Sequence, residues 1–273
     1  MIARSPVDFA RGLSDPHQPT RLAALKDLQV WIEKSGKTHE FTSVEFDQLW
    51  RALGLTLWMA DKRAVQQQVA AESVLLVRSI DPANFLEWNR GFWLNIEKIY
   101  ENIDKYRIPK FQLLIRIYVA ELFHQAKTRD WEFEFVKQCM HGITSNLSKA
   151  VGAYIQLMSV FLSELVATIE TDNIRSAVKP RKVFHALLKP AICLIDSSNE
   201  IPISLLTKTL DIVLTDQRVI GYSPETRELV VSHIKKMAMD TKTIQEVREI
   251  LFSAVDQIEA IPVAEPPKKK LKK

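Results

Sequence analysis

Glycine and cysteine are both scarce in this 273-residue chain, which has 7 glycines and 2 cysteines. Few glycines disfavour folds that depend on tight turns or phosphate-cradling loops, and they suit helices joined by short connections. Cys139 and Cys193 are too few to form a zinc site by themselves or a disulfide framework. A reducing compartment is therefore the simpler expectation.

The sequence also lacks a secretory or membrane-spanning segment. Residues 1–20 contain no apolar run of signal-peptide length. The most apolar stretch, AVGAYIQLMSVFLSELVATI at 150–169, is interrupted by Gln156, Ser159, Ser163 and Glu164, so it falls short of a membrane span. We therefore expect a soluble, intracellular protein without a membrane partner.

Net positive charge is confined to the C-terminal end. The formal net charge of +4 comes from 37 basic and 33 acidic side chains. The final KKKLKK holds five lysines and no acid, so residues 1–267 carry a net charge of −1. This excludes a uniformly basic, RNA-coating body. The run is typical of a nuclear-import signal that also attracts RNA, and a merely solubilising terminus is the alternative. Its lysines are Lys268, Lys269, Lys270, Lys272 and Lys273.

Familiar catalytic and metal-binding motifs are missing as well. SGKT at 35–38 matches the end of a phosphate-binding loop, but the position of the loop's first glycine is Trp31. The six histidines show no HExxH or comparable metal spacing, and no GxSxG occurs. We expect no enzymatic activity, no metal and no cofactor.

Helical periodicity extends over nearly the whole chain, without a convincing strand pattern. Helix starts are predicted at Thr20, at a Thr42–Glu45 capping box, at Asp61 and at Asp81-Pro82. Alternate starts near residues 20, 61, 109 and 147 are 41, 48 and 38 residues apart, close to the helix-pair period of HEAT and armadillo arrays. The pattern predicts an all-α, irregular HEAT/armadillo-like α-solenoid of roughly eleven helices. A compact helical bundle is the alternative.

The expected domain organisation has three parts. A partly ordered N-terminal segment covers residues 1–19, and a helical-repeat domain covers residues 20–258. Residues 259–273 are expected to be a disordered basic tail, because their composition cannot bury enough apolar surface to order them.

Two tryptophans on one predicted helix have different expected environments. Trp50 lies on an apolar stripe and is expected in the core. The other members of that stripe are Phe46, Leu49, Leu53 and Leu57. Trp58 points away from the stripe, so it needs a second cover. Packing by the next repeat is the preferred explanation, and a partner contact that includes Asp61 is the alternative.

Two basic segments are candidate contacts for RNA phosphates or an acidic partner. The first lies in IDKYRIPKFQLLIR and contributes Lys105, Arg107 and Lys110. The second, IRSAVKPRKVFHALLKP, contributes Arg175, Lys179, Arg181 and Lys182. A solvated turn or loop is the alternative for both segments.

Arg116 differs from these residues because it lies inside the apolar run LLIRIYV. An unpaired buried charge is costly, so we expect Arg116 to pair with an acid across a helix interface. Asp104 and Glu72 are the candidate partners.

Two longer blocks carry a resemblance when they are taken together: residues 46–70, FDQLWRALGLTLWMADKRAVQQQVA, and residues 92–123, FWLNIEKIYENIDKYRIPKFQLLIRIYVAELF. The first block contributes Leu49-Trp50, Leu53, Trp58, Asp61-Lys62 and the glutamines at 66–67. The second contributes Phe92-Trp93, Ile103-Asp104-Lys105, Arg107, Lys110-Phe111 and Leu114-Ile115-Arg116. In combination they resemble the ribosomal RNA processing protein 1 family. Pro109 is a departure, because family members commonly carry an acid at that point.

The resemblance implies an all-helical, HEAT-like scaffold that joins early precursors of the large ribosomal subunit and has no recognised active site. It also implies Brix-domain and WD-repeat assembly factors as partners, together with large-subunit pre-rRNA, bound directly or indirectly. The expected function is a non-catalytic scaffold in nucleolar assembly of pre-60S particles, in support of large-subunit rRNA maturation. A general helical-repeat adaptor without a ribosomal role is the alternative, and an RNA-processing enzyme with an unfamiliar site is a third hypothesis.

Overall fold

The computed structural model of the chain describes residues 6–146, 150–170 and 173–262. Within these ranges all regular structure is helical and no strand occurs, as the periodicity predicts. The fifteen α-helices of the described ranges are α1 (Pro6–Leu13), α2 (Gln18–Ser35), α3 (Ser43–Trp58), α4 (Arg63–Leu75), α5 (Phe85–Tyr100), α6 (Ile108–Thr128), α7 (Phe133–Asn146), α8 (Val151–Ile169), α9 (Ile174–Ala177), α10 (Arg181–Leu187), α11 (Lys189–Asp196), α12 (Ile203–Thr209), α13 (Gln217–Ile220), α14 (Pro224–Met239) and α15 (Gln245–Ala260). There are also 3₁₀ turns at Leu76–Ser79 and Pro82–Asn84, and a π-helical segment at Leu210–Leu214.

The helices form two layers, in which each helix packs against the helix two positions along the chain. In the first layer α1, α3, α5 and α7 contact one another in series, and α7 then contacts α10 and α11. In the second layer α2, α4, α6 and α8 do the same, and α8 contacts α12. The series closes with α14, which packs on α11, and with α15, which packs on α14. Successive helix pairs that chiefly contact their neighbours define an α-solenoid, which confirms the predicted fold class over the compact bundle.

Helices of the second layer repeat at a nearly constant interval. They begin at Gln18, Arg63, Ile108 and Val151, which are 45, 45 and 43 residues apart. This interval lies in the range of HEAT and armadillo helix pairs. It is more regular than the predicted interval, because α2 begins two residues before the predicted position 20, whereas α4 and α8 begin two and four residues after the predicted positions 61 and 147.

The number of helices exceeds the predicted eleven because the C-terminal half is broken into short pieces. α9 and α13 have only four residues each. α10 ends at Leu187 and α11 begins at Lys189, with Pro190 in the first turn of α11. Proline has no backbone N–H to donate to the preceding turn, so one continuous helix is interrupted there.

Side-chain hydrogen bonds confirm two of the predicted helix starts. Thr42 donates its backbone N–H to a carboxylate oxygen of Glu45 at 2.9 Å, and its hydroxyl oxygen accepts from the Glu45 N–H at 3.2 Å. Asp81 accepts the N–H of Ala83 at 2.8 Å. The prediction that Asp61 caps α4 is wrong, because the capping position is Lys62 and no side chain caps that helix.

Aromatic side chains join the second and third helix pairs in the core. Trp50 of α3 is 2% exposed, which confirms its predicted burial. Its indole N–H donates to the carbonyl oxygen of Trp88 at 3.0 Å. The Trp50 ring centroid lies 4.4 Å from that of Trp88 and 4.9 Å from that of Phe92. Phe92 stacks in turn on Tyr118 of α6, so the cluster connects α3, α5 and α6.

α8 is the one helix of the described ranges whose length and composition would allow it to cross a membrane. In the fold it contacts α6 and α12. More than half of its most apolar stretch, 56%, is buried inside the structure. Packing between repeats therefore accounts for its apolar composition.

The structure also bears on where the helical region begins and ends. α1 lies within the expected N-terminal segment 1–19, and α15 continues to Ala260. The division into residues 1–19, 20–258 and 259–273 remains a proposal. The five lysines at 268–273 lie outside the described residues.

Candidate functional site

The C-terminal end of α3 is held by polar side chains from three other helices. The last carbonyl groups of a helix have no partner inside it, and that end carries partial negative charge. We call the carbonyl oxygens of residues 58–60 the α3 carbonyl cluster. Lys110 of α6 donates to two of them, at 2.5 and 2.8 Å. Arg21 of α2 donates to the third at 3.0 Å, and Gln66 of α4 donates to the carbonyl of residue 60 at 3.0 Å.

Lys110 is therefore a structural cation. It is 5% exposed, and Arg21 is also buried. Burial lowers the pKa of the Lys110 amino group, and the charge of Arg107 contributes to this lowering. Two of the three N–H donors of the amino group are used by backbone carbonyls, so its charge is directed to the end of α3.

Trp58 is half-buried and is covered largely by the next repeat. Its ring centroid lies 6.1 Å from that of Phe111 on α6. The guanidinium carbon of Arg107 lies 4.7 Å from the Trp58 ring centroid, a cation–π geometry. Arg107 also forms an ion pair with Asp104. The preferred explanation of Trp58, packing by a neighbouring repeat, agrees with these contacts.

Lys105 and Asp61 are the exposed members of this first candidate set. The amino group of Lys105 lies 5.1 Å from the ring centroid of Tyr106, which is 81% exposed. Neither Lys105 nor Asp61 forms an ion pair within the described ranges. Both remain candidates for contact with a partner.

Three residues of the second basic segment line one cavity of about 240 Å³. Arg175 lies in α9, Lys179 follows α9, and Arg181 begins α10. The opposite wall is formed by Tyr222 and by residues 223–225 at the start of α14. We call this space the basic cavity.

Buried contacts fix the walls of the basic cavity. The hydroxyl of Tyr222 donates to the carbonyl oxygens of Val178, at 2.5 Å, and Lys179, at 3.4 Å. The Tyr222 ring stacks on Phe184 of α10, with centroids 4.0 Å apart. Burial raises the pKa of Tyr222, while Arg175 and Arg181 oppose this shift. The connection between α9 and α10 is thereby held against α14.

Charge in the basic cavity is only partly compensated. Arg181 forms an ion pair with Glu225, and both side chains are more than half exposed. Arg175 and Lys179 have no ion-pair partner in the part of the chain that the structure describes. Lys182 does not line the cavity, because its amino group lies over Phe133 at 4.7 Å from the ring centroid.

The second-layer groove, of about 670 Å³, lies chiefly between α6 and α8, and charged side chains in and beside it are paired between repeats. Arg116 donates to a carboxylate oxygen of Glu164 at 2.6 Å, and Arg78 donates to Glu121 at 2.7 Å. Pairing of Arg116 across a helix interface agrees with the prediction, but the predicted partners Asp104 and Glu72 are wrong. The Arg116 side chain is also 60% exposed, because it lies on the outer side of α6 rather than in the core.

A groove of about 550 Å³ between α3 and α5 was not anticipated from the sequence. Arg51, Leu55 and Trp58 line it from α3, and Lys98 and Ile99 are among its residues from α5. We call it the first-layer groove. Positions 51, 55 and 58 share one helix face, which is the signal that could have predicted the α3 side.

The described ranges contain no group of three or more side chains suited to hold a metal ion. The histidines that have polar partners are each engaged separately. His39 contacts Glu45, His185 contacts Thr226, and His233 contacts Asp196.

The model of the Nop52 family of nucleolar proteins matches residues 4–255. The chain belongs to this family. It is 27% identical over 167 residues to ribosomal RNA processing protein 1 homolog A of Mus musculus, a match that covers 58% of this chain and 34% of the mouse protein. Its identity to the ribosomal RNA processing protein 1 homolog of Drosophila melanogaster is 26% over 172 residues, which cover 60% of this chain and 25% of the fly protein. Its identity to homolog A of Homo sapiens is 25% over 170 residues, which cover 58% of this chain and 36% of the human protein.

These relatives confirm the resemblance drawn from the two sequence blocks. The matches cover only about a quarter to a third of each relative's own length. Two designed armadillo repeat proteins, one in complex with the peptide (KR)4, align with 93% of this chain and 100% of their own. Their identity is 12%, with TM-scores of 0.36 and 0.33. The solenoid assignment rests on the helix contacts described above.

Several residues that carry the Nop52-family resemblance meet at the end of α3. Trp58, Gln66, Lys110 and Phe111 come from three different helices and contact one another or the α3 carbonyl cluster. In this family member, these signature residues hold adjacent helix pairs together.

Proposed function

We propose that this chain is a non-catalytic helical scaffold in nucleolar assembly of pre-60S ribosomal particles, where it supports maturation of large-subunit rRNA. The family match over residues 4–255 carries the proposal. Relatives named for ribosomal RNA processing support it. The proposed location is the nucleus and nucleolus. The proposed partners are Brix-domain and WD-repeat assembly factors and, directly or indirectly, large-subunit pre-rRNA.

The use of charged residues in the solenoid supports a scaffold. Arg21 and Lys110 bind backbone carbonyls, and Arg78 and Arg116 pair with acids of adjacent helices. Such contacts fix the relative positions of repeats, and a fixed repeat array presents long surfaces to partners.

The basic cavity is the proposed contact for RNA. Arg175 and Lys179 supply two cations without an acidic partner among the described residues, and Arg181 is held at the same place by Glu225. Arginine and lysine bind phosphate oxygens through charge-assisted hydrogen bonds. Phosphate contacts of this kind bind RNA without reading its sequence.

Salt dependence tests this RNA contact. Binding of the purified chain to a single-stranded RNA is measured over a series of salt concentrations. Each phosphate contact contributes about −0.7 to the slope of log K against log salt for single strands. Arg175→Ala with Lys179→Ala should therefore make the slope shallower by about 1.4. Lys26→Ala with Lys236→Ala removes the same charge from exposed positions and should leave the slope unchanged. Equal slopes for both double variants would rule out the basic cavity as an RNA contact.

Affinity purification tests the scaffold role. Pre-ribosomal proteins and large-subunit precursor RNA should co-purify with the tagged chain. Recovery of cytoplasmic partners alone would favour a general helical-repeat adaptor. Incubation of the purified chain with precursor RNA is the companion assay, because any cleavage by the chain alone would replace the scaffold with an RNA-processing enzyme.

A further inference from the structure

The first-layer groove has a regular helical construction. Positions 51, 55 and 58 lie on one face of α3, positions 95, 98 and 99 lie on one face of α5, and position 102 follows α5. The eight residues from position 51 to position 58 extend over about 10 Å, so the groove can hold about two turns of a helix or a short extended segment. A Cβ atom at Gly54 would lie 3.1 Å from Ile99 Cδ1, so this glycine lets α3 and α5 approach closely beneath the groove.

The groove combines apolar surface with unpaired positive charge. Leu55 is 40% exposed, and Trp58 and Ile99 are partly exposed beside it. Arg51 and Lys98 are exposed and form no ion pair within the described ranges, and no acidic residue lines the groove. The second-layer groove differs in this respect, because Arg78 in its wall pairs with Glu121, and Glu164 in its wall pairs with Arg116 beside it.

Neighbouring acids do not neutralise the first-layer groove. Asp47, one turn before Arg51 on α3, is paired with Arg90 at 2.9 Å. Glu97 is on α5 and Glu101 directly follows it, but neither lines the groove.

Asn95 adds a side-chain hydrogen-bond acceptor at the same place. The residue is 7% exposed, and its amide nitrogen donates to the Gly91 carbonyl oxygen at 2.9 Å. Its Oδ1 receives no hydrogen bond from the described part of the chain. A backbone N–H of a docked segment would donate to this oxygen.

We propose that the first-layer groove docks a segment of a partner protein that presents acidic and apolar side chains together. The acidic groups pair with Arg51 and Lys98, and the apolar groups cover Leu55 and Ile99. The C-terminal lysine run of this chain has the wrong sign of charge to be the occupant. RNA is disfavoured because Phe111 and Arg107 pack against the Trp58 ring, which limits its use as a platform for base stacking. This proposal goes beyond the scaffold role and does not depend on it.

Peptide binding to the full chain tests the proposal. Two fluorescent peptides share the same leucine positions, and they differ only in having glutamate or lysine at all other positions. Fluorescence anisotropy should give a preference of about tenfold or more for the glutamate peptide, because two groove cations attract one peptide and repel the other. Arg51→Glu with Lys98→Glu should abolish or reverse that preference. Lys26→Glu with Lys236→Glu makes the same change in net charge at exposed sites elsewhere and should keep it.

Substitution of two exposed leucines distinguishes docking in the groove from long-range electrostatic attraction. Leu55→Asp should weaken binding of the glutamate peptide by about tenfold, because it removes covered apolar surface and adds repulsion. Leu75→Asp is the matched control, since Leu75 on α4 is 41% exposed. Thermal melts of every variant confirm folding, and a variant that does not fold is replaced by Leu55→Ala and Lys98→Ala.

Three outcomes would overturn the proposal. The first is failure of the glutamate peptide to bind, or equal binding of both peptides. The second is displacement of bound peptide by single-stranded RNA in a manner that depends on Lys98, which would reassign the groove to nucleic acid. The third is concentration-dependent dimerisation that Leu55→Asp abolishes, which would make a second copy of the chain the occupant.

Discussion

Replacing Lys110 with methionine would measure how strongly the α3 carbonyl cluster holds the solenoid together. Methionine has similar length, so the substitution removes the charge and two hydrogen bonds with little change in packing. Net contributions of hydrogen bonds to charged groups are about 1.5–3 kcal/mol each. Relief of lysine burial offsets part of that loss, so we expect a net destabilisation of about 3 kcal/mol.

Thermal unfolding is the assay, with urea unfolding as a second measure of the same free energy. In a chain of this size, about 1 kcal/mol changes Tm by about 2–4 °C, so Lys110→Met should lower Tm by about 6–12 °C. Lys105→Met is the matched control at an exposed position and should remain within about 0.5 kcal/mol of the parent. The reasoning would be refuted if Lys110→Met unfolded like the parent and instead lost RNA binding, because Lys110 would then be a surface contact.

Three further predictions concern the core, a histidine and the C-terminal lysines. Trp50→Ala should destabilise the fold by about 3–5 kcal/mol and half-buried Trp58→Ala by less, and melts with equal losses would contradict this. Burial, with the charge of Arg181, lowers the pKa of His185 below its usual 6.5. As the pH falls, His185 is therefore protonated in the unfolded state before it is protonated in the folded state. The free energy of unfolding should fall as the pH drops below about 6.5, and it should fall less steeply in His185→Gln than in the parent. Parallel pH profiles of the two proteins would show that His185 does not contribute to this pH dependence. Deleting residues 268–273 changes the net charge from +4 to −1. The deletion should leave Tm unchanged and reduce nuclear accumulation, and undiminished nucleolar accumulation would contradict an import role.

Local patterns were sufficient to predict much of the fold. The Thr42–Glu45 capping box depends on residues three positions apart, so its residue types and spacing determine it. Burial of Trp50 follows in the same way from the apolar stripe on α3. Spacing between alternate helix starts favours a solenoid, although the sequence pattern does not predict the short helices after residue 173 as separate elements.

Long-range partners could not be predicted because they depend on how repeats stack. Lys110 binds carbonyl oxygens about 50 residues earlier, and Arg116 binds Glu164, 48 residues later. Nothing in the sequence near Lys110 distinguishes it from the exposed Lys105. Similarly, Lys182 adjoins Arg181 in sequence but lies over Phe133, away from the basic cavity. Side chains one residue apart on a helix point in different directions, so a basic run is divided between surfaces.

The α3 carbonyl cluster limits how far this solenoid can be treated as a set of interchangeable modules. Arg21 belongs to the first helix pair and Lys110 to the third, yet both bind the end of a helix in the second. A shortened chain that began at α3 would lose Arg21 and leave the Met59 carbonyl without its buried partner. A transplanted second pair would require a host with both cations at matching positions. Trimming or grafting of these repeats therefore has to treat the first three pairs as one indivisible block.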